Sequence, residues 1–172
     1  MISISVIGAG QVGEKFCRAI NAAGNLHLEQ WYNRSNINPK IGLNNINFCN
    51  NLMELKAVDL YIIAVSDSAI EAISNALPFE NRLVVHTSGS VALRYLNKKN
   101  RKGVFYPLQT FSDASDLTFC KVPICIETND KKDRKLLKKA ATELGSPTYF
   151  IQSEQRQSLH LSAVFVNNFT NQ

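Results

Sequence analysis

Short apolar runs and longer segments with helical periodicity alternate along most of the chain. In Gln11–Ala23 the apolar residues recur with the period of a helix, and Gly24 follows as a stop signal. Residues 60–65 read LYIIAV, an unbroken apolar run that is typical of a strand buried on both faces of a parallel sheet. The same criteria predict strands at 2–7, 28–32, 46–48, 60–65, 83–86, 104–106, 122–127 and 148–151, and helices at 11–23, 52–55, 68–76 and 132–144.

This alternation predicts an α/β fold, with a doubly wound, mostly parallel sheet and helices on both faces. After Ile151 the pattern changes, and Ser153–Gln172 predicts one long helix without a stop signal. We therefore expect an α/β domain at residues 1–152 and, at residues 153–172, the first helix of an incomplete C-terminal helical domain.

The segment GAGQVG follows the first predicted strand and opens the first predicted helix. In that setting the G-x-G-x-x-G pattern predicts the dinucleotide-binding loop of a Rossmann fold. Gly8 allows the tight turn, Gly10 lets the backbone approach a pyrophosphate, and Gly13 lets the helix pack closely against the strand. The helix N-terminus adds partial positive charge. We assign cofactor binding to the whole loop: Gly8, Ala9, Gly10, Gln11, Val12 and Gly13.

The end of the second strand favours NADP over NAD. An NAD site usually places a carboxylate there, on the ribose 2′-hydroxyl, whereas this strand ends in Asn33, Arg34 and Ser35. Arg34 can bind a 2′-phosphate through charge-assisted hydrogen bonds, and Asn33 and Ser35 add neutral donors. In the alternative interpretation Arg34 is a surface residue and Glu29 binds the ribose. Glu29 lies in the middle of the strand, which makes it the weaker candidate.

Two further loops should line the cofactor, because ligands in such sheets lie at the carboxyl ends of the strands. After the fourth strand we expect Ala64, Val65 and Ser66 to pack along the nicotinamide ribose. After the fifth strand we expect His86 to contact the cofactor and Ser88 to face the reactive ring as a catalytic residue. Alternatively, Asp67 or Ser68 caps a helix, and residues 87–90 only form a turn.

Composition and charge narrow the class of protein. The 172 residues suffice for one full domain, and the net charge of +5 comes mostly from RYLNKKNRK and KKDRKLLKK, which we interpret as solvated helix faces. They lack the interleaved aromatics of a nucleic-acid surface. The four cysteines have no C-x-x-C pair and no histidine at ligand spacing, so we expect reduced thiols and no metal site. Without a signal peptide or membrane span, we expect a cytoplasmic protein.

Six segments together carry a family resemblance: GAGQVG, YNRS, AVSDSAI, HTSGS, FYPLQTF and SEQRQSLHLSAVFVNNF. In this order they resemble an uncharacterised bacterial family of NADP oxidoreductase-type proteins, which join a Rossmann-like domain to a C-terminal helical domain of unknown function. More distantly the layout is similar to pyrroline-5-carboxylate reductase and the β-hydroxyacid dehydrogenases. The resemblance implies NADP(H) binding, a small-molecule substrate and a homodimer assembled through the helical region. It implies neither a nucleic-acid nor a membrane partner.

The candidate chemistry lies on the last predicted helix. β-Hydroxyacid dehydrogenases carry a lysine there, four residues before an asparagine, whereas this chain has Ala163 and Val164 four residues before Asn167 and Asn168. We expect His160 to act instead, as general acid to a carbonyl or imine that receives hydride, with Asn168 orienting the substrate. The alternative is a structural histidine at the edge of the sheet.

The predicted function is hydride transfer between NADP(H) and a small carbonyl, imine or alcohol. A non-catalytic NADP(H)-binding sensor or regulatory module is the alternative, because the lysine of the distant relatives is missing. The segment YPLQTF, residues 106–111, should reach the substrate side, with Gln109 and Thr110 as polar contacts.

Overall fold

Eight strands and four α-helices make up the computed structural model, which describes residues 1–35, 46–108, 119 and 122–170, with 165–170 described as helix backbone only. The strands are β1 (Ile2–Ile7), β2 (Leu26–Tyr32), β3 (Phe48–Cys49), β4 (Leu60–Ile63), β5 (Leu83–His86), β6 (Arg101–Pro107), β7 (Ile124–Thr128) and β8 (Thr148–Phe150). The helices are α1 (Gln11–Ala22), α2 (Ile70–Ala76), α3 (Lys131–Glu143) and α4 (Ser153–Thr170). Short 3₁₀ turns cover Leu52–Glu54, Asp67–Ala69 and Leu93–Tyr95.

All eight strands form one sheet in the order β3-β2-β1-β4-β5-β6-β7-β8. Neighbouring strands are parallel except for β6 and β7, which pair antiparallel. The order reverses between β1 and β4, as in a doubly wound Rossmann sheet. The fold-class prediction is therefore confirmed. The end of each predicted strand agrees with the structure to within two residues, but β6 begins three residues early, at Arg101.

Side chains alternate between two buried layers, one on each face of the sheet. On one face α1 and α3 pack against β1 and β6 through Phe16, Leu137, Val6 and Phe105. On the other face Ile70 of α2 belongs to a second cluster that includes residues 61, 63, 84 and 104. The unbroken apolar run of β4 is explained by this arrangement, because its four residues are at most 1% exposed.

One helix start differs from the prediction. The spacing of Ser68 and Glu71 predicts a capping box, but the chain forms a 3₁₀ turn at Asp67–Ala69 and α2 begins at Ile70 without a side-chain cap. The Ser68 hydroxyl lies 3.5 Å from that of Ser66 and does not cap the helix. The predicted cap by Ser68 is therefore wrong, because the tighter turn moves the helix start past it.

In the described part of the chain, no helix is both long and apolar enough to cross a membrane.

Candidate functional site

A cleft of about 710 Å³ lies at the carboxyl edge of the sheet. Because β1, β4, β5 and β6 run in the same direction, the loops that follow them meet at this edge. The side of α4 closes the far end of the cleft. The lining residues come from all of these elements: Gly8, Ala9, Gly10, Gln11, Val12, Asn33, Ala64, Val65, Ser66, Asp67, Thr87, Ser88, Gly89, Tyr106, His160, Ala163 and Val164.

The glycine loop forms the first wall of the cleft, and its packing requires glycine at two positions. Gly8 has a φ of +115°, and a Cβ there would lie 2.2 Å from the carbonyl oxygen of Ala64. A Cβ at Gly13 would lie 2.2 Å from the carbonyl oxygen of Gly8. At Gly10, by contrast, a Cβ would have no atom within 4 Å, and no side chain caps α1 there. The backbone at Gly10 is thus open to a ligand, and the loop fits a pyrophosphate at the start of α1.

Trp31 packs beneath the sheet end of the glycine loop and hydrogen-bonds to it, a contact that the sequence did not predict. Its indole Nε1–H donates a 2.8 Å hydrogen bond to the carbonyl oxygen of Gly8, and its ring is 1% exposed. The same carbonyl is the atom against which Gly13 packs. A buried indole needs an acceptor for its N–H. A single tryptophan near the end of a predicted buried strand therefore indicated a hydrogen bond to a neighbouring loop.

The end of β2 contributes Asn33 to the cleft. Asn33 donates from Nδ2 to the carbonyl oxygen of Ser35 at 3.0 Å, which forms a bend with Arg34 at its exposed tip. Arg34 and Ser35 do not line the cleft itself. Glu29, the alternative ribose ligand, lies at an irregularity in the pairing of β1 with β2 and forms an ion pair with Lys56 at 2.6 Å. Glu29 is thus already paired and does not line the cleft, which weakens the NAD alternative.

The loop after β4 lines the middle of the cleft with Ala64, Val65 and Ser66, as expected. Asp67 does not cap a helix. Its carboxylate accepts a hydrogen bond from the hydroxyl of Ser90, which joins the β4 loop to the β5 loop. The helix-cap interpretation of Asp67 is therefore wrong, because its carboxylate is engaged by the Ser90 hydroxyl and no described side chain caps the turn or α2.

The loop after β5 is built around Ser88. The Ser88 hydroxyl oxygen accepts hydrogen bonds from the amides of Ser90 and Val91 at 3.1 and 3.0 Å. Ser88 lines the cleft, but its oxygen forms the turn, and this geometry favours the turn interpretation. The catalytic assignment of Ser88 stays a prediction.

His86 lies behind this loop and does not line the cleft. It is wholly buried, and its Nδ1 accepts a hydrogen bond from the amide of Ser88 at 3.2 Å. Burial, with a further contribution from the Arg156 guanidinium, lowers the pKa of His86 to about 3, so the ring is neutral. This burial gives His86 no surface on the cleft, and its cofactor contact stays a prediction.

At the far end of the cleft, His160 meets Tyr106 of β6 and Gly89 of the loop after β5. The Tyr106 hydroxyl lies 2.9 Å from Nδ1 of His160, and the two rings meet edge to face with their centroids 5.7 Å apart. A Cβ at Gly89 would lie 2.6 Å from Cγ and Nδ1 of His160, so the imidazole rests directly on the glycine. No other described residue hydrogen-bonds the His160 ring, which leaves Nε2 available to a ligand.

Arg156, one turn before His160, is not a site residue. It is wholly buried, pairs with the Glu127 carboxylate of β7 and donates to the carbonyl oxygen of Val91. Ser153 adds a hydroxyl donor to the same carboxylate. These contacts hold the first turn of α4 on the sheet and thereby bring His160 to the cleft.

Three predicted residues lie outside what the structure describes: Gln109, Thr110 and the side chain of Asn168. Among the described residues, no three His, Cys, Asp or Glu side chains are grouped so that they could hold a metal ion.

The fold and the cleft place the chain in the class of Rossmann-type dinucleotide-binding proteins. A crystal structure from Bacteroides fragilis, named "putative NADP oxidoreductase BF3122", is 34% identical with a TM-score of 0.86, and the match covers 99% of this chain and 68% of that one. The chain belongs to that NADP oxidoreductase family, so the resemblance seen in the sequence is confirmed. The family called DUF2520, a domain of unknown function, matches residues 122–172.

More distant solved structures share the fold. Pyrroline carboxylate reductase from Plasmodium falciparum, solved with NADP bound, is 15% identical with a TM-score of 0.70, over 96% of this chain and 66% of that one. Prephenate dehydrogenase from Aquifex aeolicus, solved with NAD⁺ and hydroxyphenyl propionate, is 15% identical with a TM-score of 0.74, over 91% of this chain and 62% of that one. The chain thus spans about two thirds of their length. No curated protein sequence matches it.

Proposed function

We propose that this chain forms the cofactor-binding part of an NADP-dependent oxidoreductase that transfers hydride between NADP(H) and a small carbonyl, imine or alcohol. One observation carries the proposal: a single cleft joins the glycine loop at one end to His160 and Tyr106 at the other. Its volume of about 710 Å³ is within the range of ligand and cofactor sites. The B. fragilis relative supports the cofactor class.

The residues along the cleft fit successive parts of the dinucleotide. The amides at the start of α1, with Gly8 to Gly13, would hold the pyrophosphate. Asn33 lines the cleft where the adenosine ribose would lie, and Arg34 and Ser35 would take the 2′-phosphate from the exposed bend beside it. Ala64, Val65 and Ser66 would pack along the nicotinamide ribose. His86 lies behind the loop after β5 and contributes no surface to this part of the cleft.

When bound, NADP(H) supplies or accepts the hydride, and the protein orients it. His160 holds the proton that the substrate oxygen or nitrogen gains as hydride reaches the neighbouring carbon. Val65, Ala163 and Val164 give that end of the cleft an apolar lining, which would limit the water around the reacting atoms. The orienting role of Asn168 and the assembly as a homodimer through the C-terminal helical region remain predictions.

A titration with NADPH and NADH tests the cofactor assignment, with Trp31 as the fluorescent reporter because it is the only tryptophan and contacts the glycine loop. Loss of a charge-assisted contact costs about 1.5–3 kcal/mol, so Arg34→Ala should weaken NADPH binding about 10- to 100-fold and leave NADH binding unchanged. Arg82→Ala is the matched control, because Arg82 is exposed and precedes β5 at the opposite edge of the sheet. Equal affinity of the Arg34 variant and the wild type for NADPH would refute the assignment.

A non-catalytic NADP(H) sensor is the second candidate. Ala163 and Val164, at the positions where the resemblance to β-hydroxyacid dehydrogenases implies a lysine, line the cleft and favour it. NADPH turnover with a panel of keto and imino acids separates the two. An oxidoreductase should show turnover that His160→Gln reduces about 100-fold or more, the usual share of a general acid. Tight NADPH binding with no turnover across the panel would support the sensor.

A further inference from the structure

Tyr106 and His160 come together from distant parts of the chain. Tyr106 stands near the carboxyl end of β6, and His160 lies in the second turn of α4, 54 residues later. The hydroxyl-to-Nδ1 distance of 2.9 Å is that of a good hydrogen bond. Both residues line the cleft at the end opposite to the glycine loop.

The direction of this hydrogen bond depends on the tautomer of His160, because a hydroxyl can both donate and accept. Burial raises the pKa of Tyr106 to about 12, so its hydroxyl keeps its proton at neutral pH. A neutral imidazole has one donor and one acceptor nitrogen, and the partner of one nitrogen decides which is which. We infer the arrangement in which the Tyr106 hydroxyl donates to Nδ1 of the neutral ring, so that the proton of neutral His160 lies on Nε2.

The position of the ring is fixed independently of Tyr106. The imidazole rests on Gly89, where a Cβ would lie 2.6 Å from Cγ and Nδ1. The turn that contains Gly89 is itself held by the Ser88 hydroxyl, and Gln157 of α4 donates to the carbonyl oxygen of Ser90 at 2.7 Å. The ring therefore lies between Gly89 on the β5 loop and the Tyr106 hydroxyl on β6. Neither contact involves Nε2, which is left as the atom that can exchange a proton with a ligand.

We propose that Tyr106 is the positioning residue of His160, and that it acts with Gly89 to present Nε2 to the substrate. This role rests on the proposed function, in which His160 is the general acid. In the reductive direction, protonated His160 donates from Nδ1 to the Tyr106 oxygen and gives its Nε2 proton to the substrate oxygen or nitrogen. Bound NADPH would supply the hydride of the new C–H bond, and the π electron pair of the C=O or C=N bond would form the new O–H or N–H bond with that proton. His160 is left neutral with its remaining proton on Nδ1, uptake of a solvent proton at Nε2 restores the protonated ring, and Tyr106 keeps its proton throughout.

Nitrogen NMR of the histidine side chains tests the proposal without substrate or cofactor. The ¹⁵N-labelled 172-residue chain has three histidines, and His160→Gln identifies the signal of residue 160 by its loss. At pH 8 we expect His160 to carry its proton on Nε2, with Nδ1 in the range of a hydrogen-bonded acceptor. In Tyr106→Phe the Nδ1 resonance should move to that of a nitrogen without a hydrogen bond.

Two matched controls separate this effect from a general disturbance. Tyr61→Phe removes a hydroxyl that donates to the carbonyl oxygen of Lys56, far from the cleft, and should leave the His160 signals unchanged. Gly89→Ala should shift them because it displaces the ring, whereas Gly24→Ala, where a Cβ would have no atom within 4 Å, should not. A wild-type His160 with its proton on Nδ1, or identical His160 spectra in Tyr106→Phe and wild type, would overturn the proposal.

Steady-state kinetics provide a second measurement, because a Tyr106 that only stabilised the fold would not affect kcat selectively. Tyr106→Phe should lower kcat about 10-fold or more while KM and the NADPH dissociation constant stay within about 2-fold, because the lost interaction aligns the proton and not the cofactor. Unchanged kcat would count against the positioning role. If NADPH does not bind at all, the proposed function fails, but the NMR experiment still decides whether Tyr106 positions His160.

Discussion

Replacing Gly13 with alanine should loosen the junction between β1, α1 and Trp31. The added Cβ would lie 2.2 Å from the carbonyl oxygen of Gly8, whereas Cβ contacts under 3.0 Å essentially never occur. The carbonyl and the helix must therefore separate by about 0.8 Å or more. That carbonyl also accepts the 2.8 Å hydrogen bond from the Trp31 indole, so the movement strains a second interaction.

The steric overlap and the strained indole hydrogen bond together determine how much stability Gly13→Ala loses. Overpacking of a tight site costs about 1–3 kcal/mol, and a buried donor left without its acceptor costs about 1–3 kcal/mol. Because movement of the loop relieves the first while it incurs the second, we expect a combined loss of about 2–4 kcal/mol. For a chain of this length that corresponds to a decrease in Tm of about 4–16 °C.

Thermal unfolding and Trp31 emission measure both consequences in one sample. Gly13→Ala should lower Tm and shift the native emission spectrum. The matched control is Gly10→Ala, at a φ of −74° that alanine adopts readily and with open space around the new Cβ. It should cost less than about 1 kcal/mol and keep the emission spectrum, yet weaken NADPH binding by blocking the backbone at the cleft. Equal stability of the Gly13 variant and the wild type would show that the Gly8 carbonyl does not confine this position.

Two further predictions concern buried charge. Folding lowers the pKa of His86 from 6.5 to about 3, so as the pH drops the unfolded chain takes up the proton first and the free energy of unfolding falls. In urea unfolding between pH 6 and 4, the free energy of unfolding of the wild type should fall about 1.4 kcal/mol per pH unit more steeply than that of His86→Asn. Equal slopes would contradict the burial of a neutral ring. Glu127→Gln leaves the wholly buried Arg156 without its counter-charge and should cost about 3–5 kcal/mol in the same assay, whereas a loss below about 1 kcal/mol would show that the pair does not hold α4.

Most of the fold could be predicted because its signals are local. The period of α1, the apolar run of β4 and the glycines of the first loop are each contained in a few consecutive residues. The antiparallel direction of β7 could not be predicted, since the pattern ICIET is the same in either direction. The start of β6 was missed because Arg101 and Lys102 are polar, although their backbones pair with Leu83 and Val84.

The candidate site was predictable only where it follows the chain. The loops after β1 and β4 line the cleft as expected. The pair of Tyr106 with His160, the hydrogen bond from Trp31 to Gly8 and the buried Arg156 depend on contacts between residues 23 to 65 positions apart, which no local pattern encodes. For Tyr106 a signal did exist, because a tyrosine near the carboxyl end of a predicted parallel strand lies at the ligand edge of the sheet.

The anchoring of α4 at Arg156 gives the helix a pivot close to His160. Four residues of helix separate the two, about 6 Å along the axis, whereas Thr170 lies about 21 Å beyond the pivot. A swing of about 10° around Arg156 would displace the far end of the helix by nearly 4 Å and His160 by only about 1 Å. Lever geometry of this kind lets the end of α4 move while the imidazole keeps its place over Gly89.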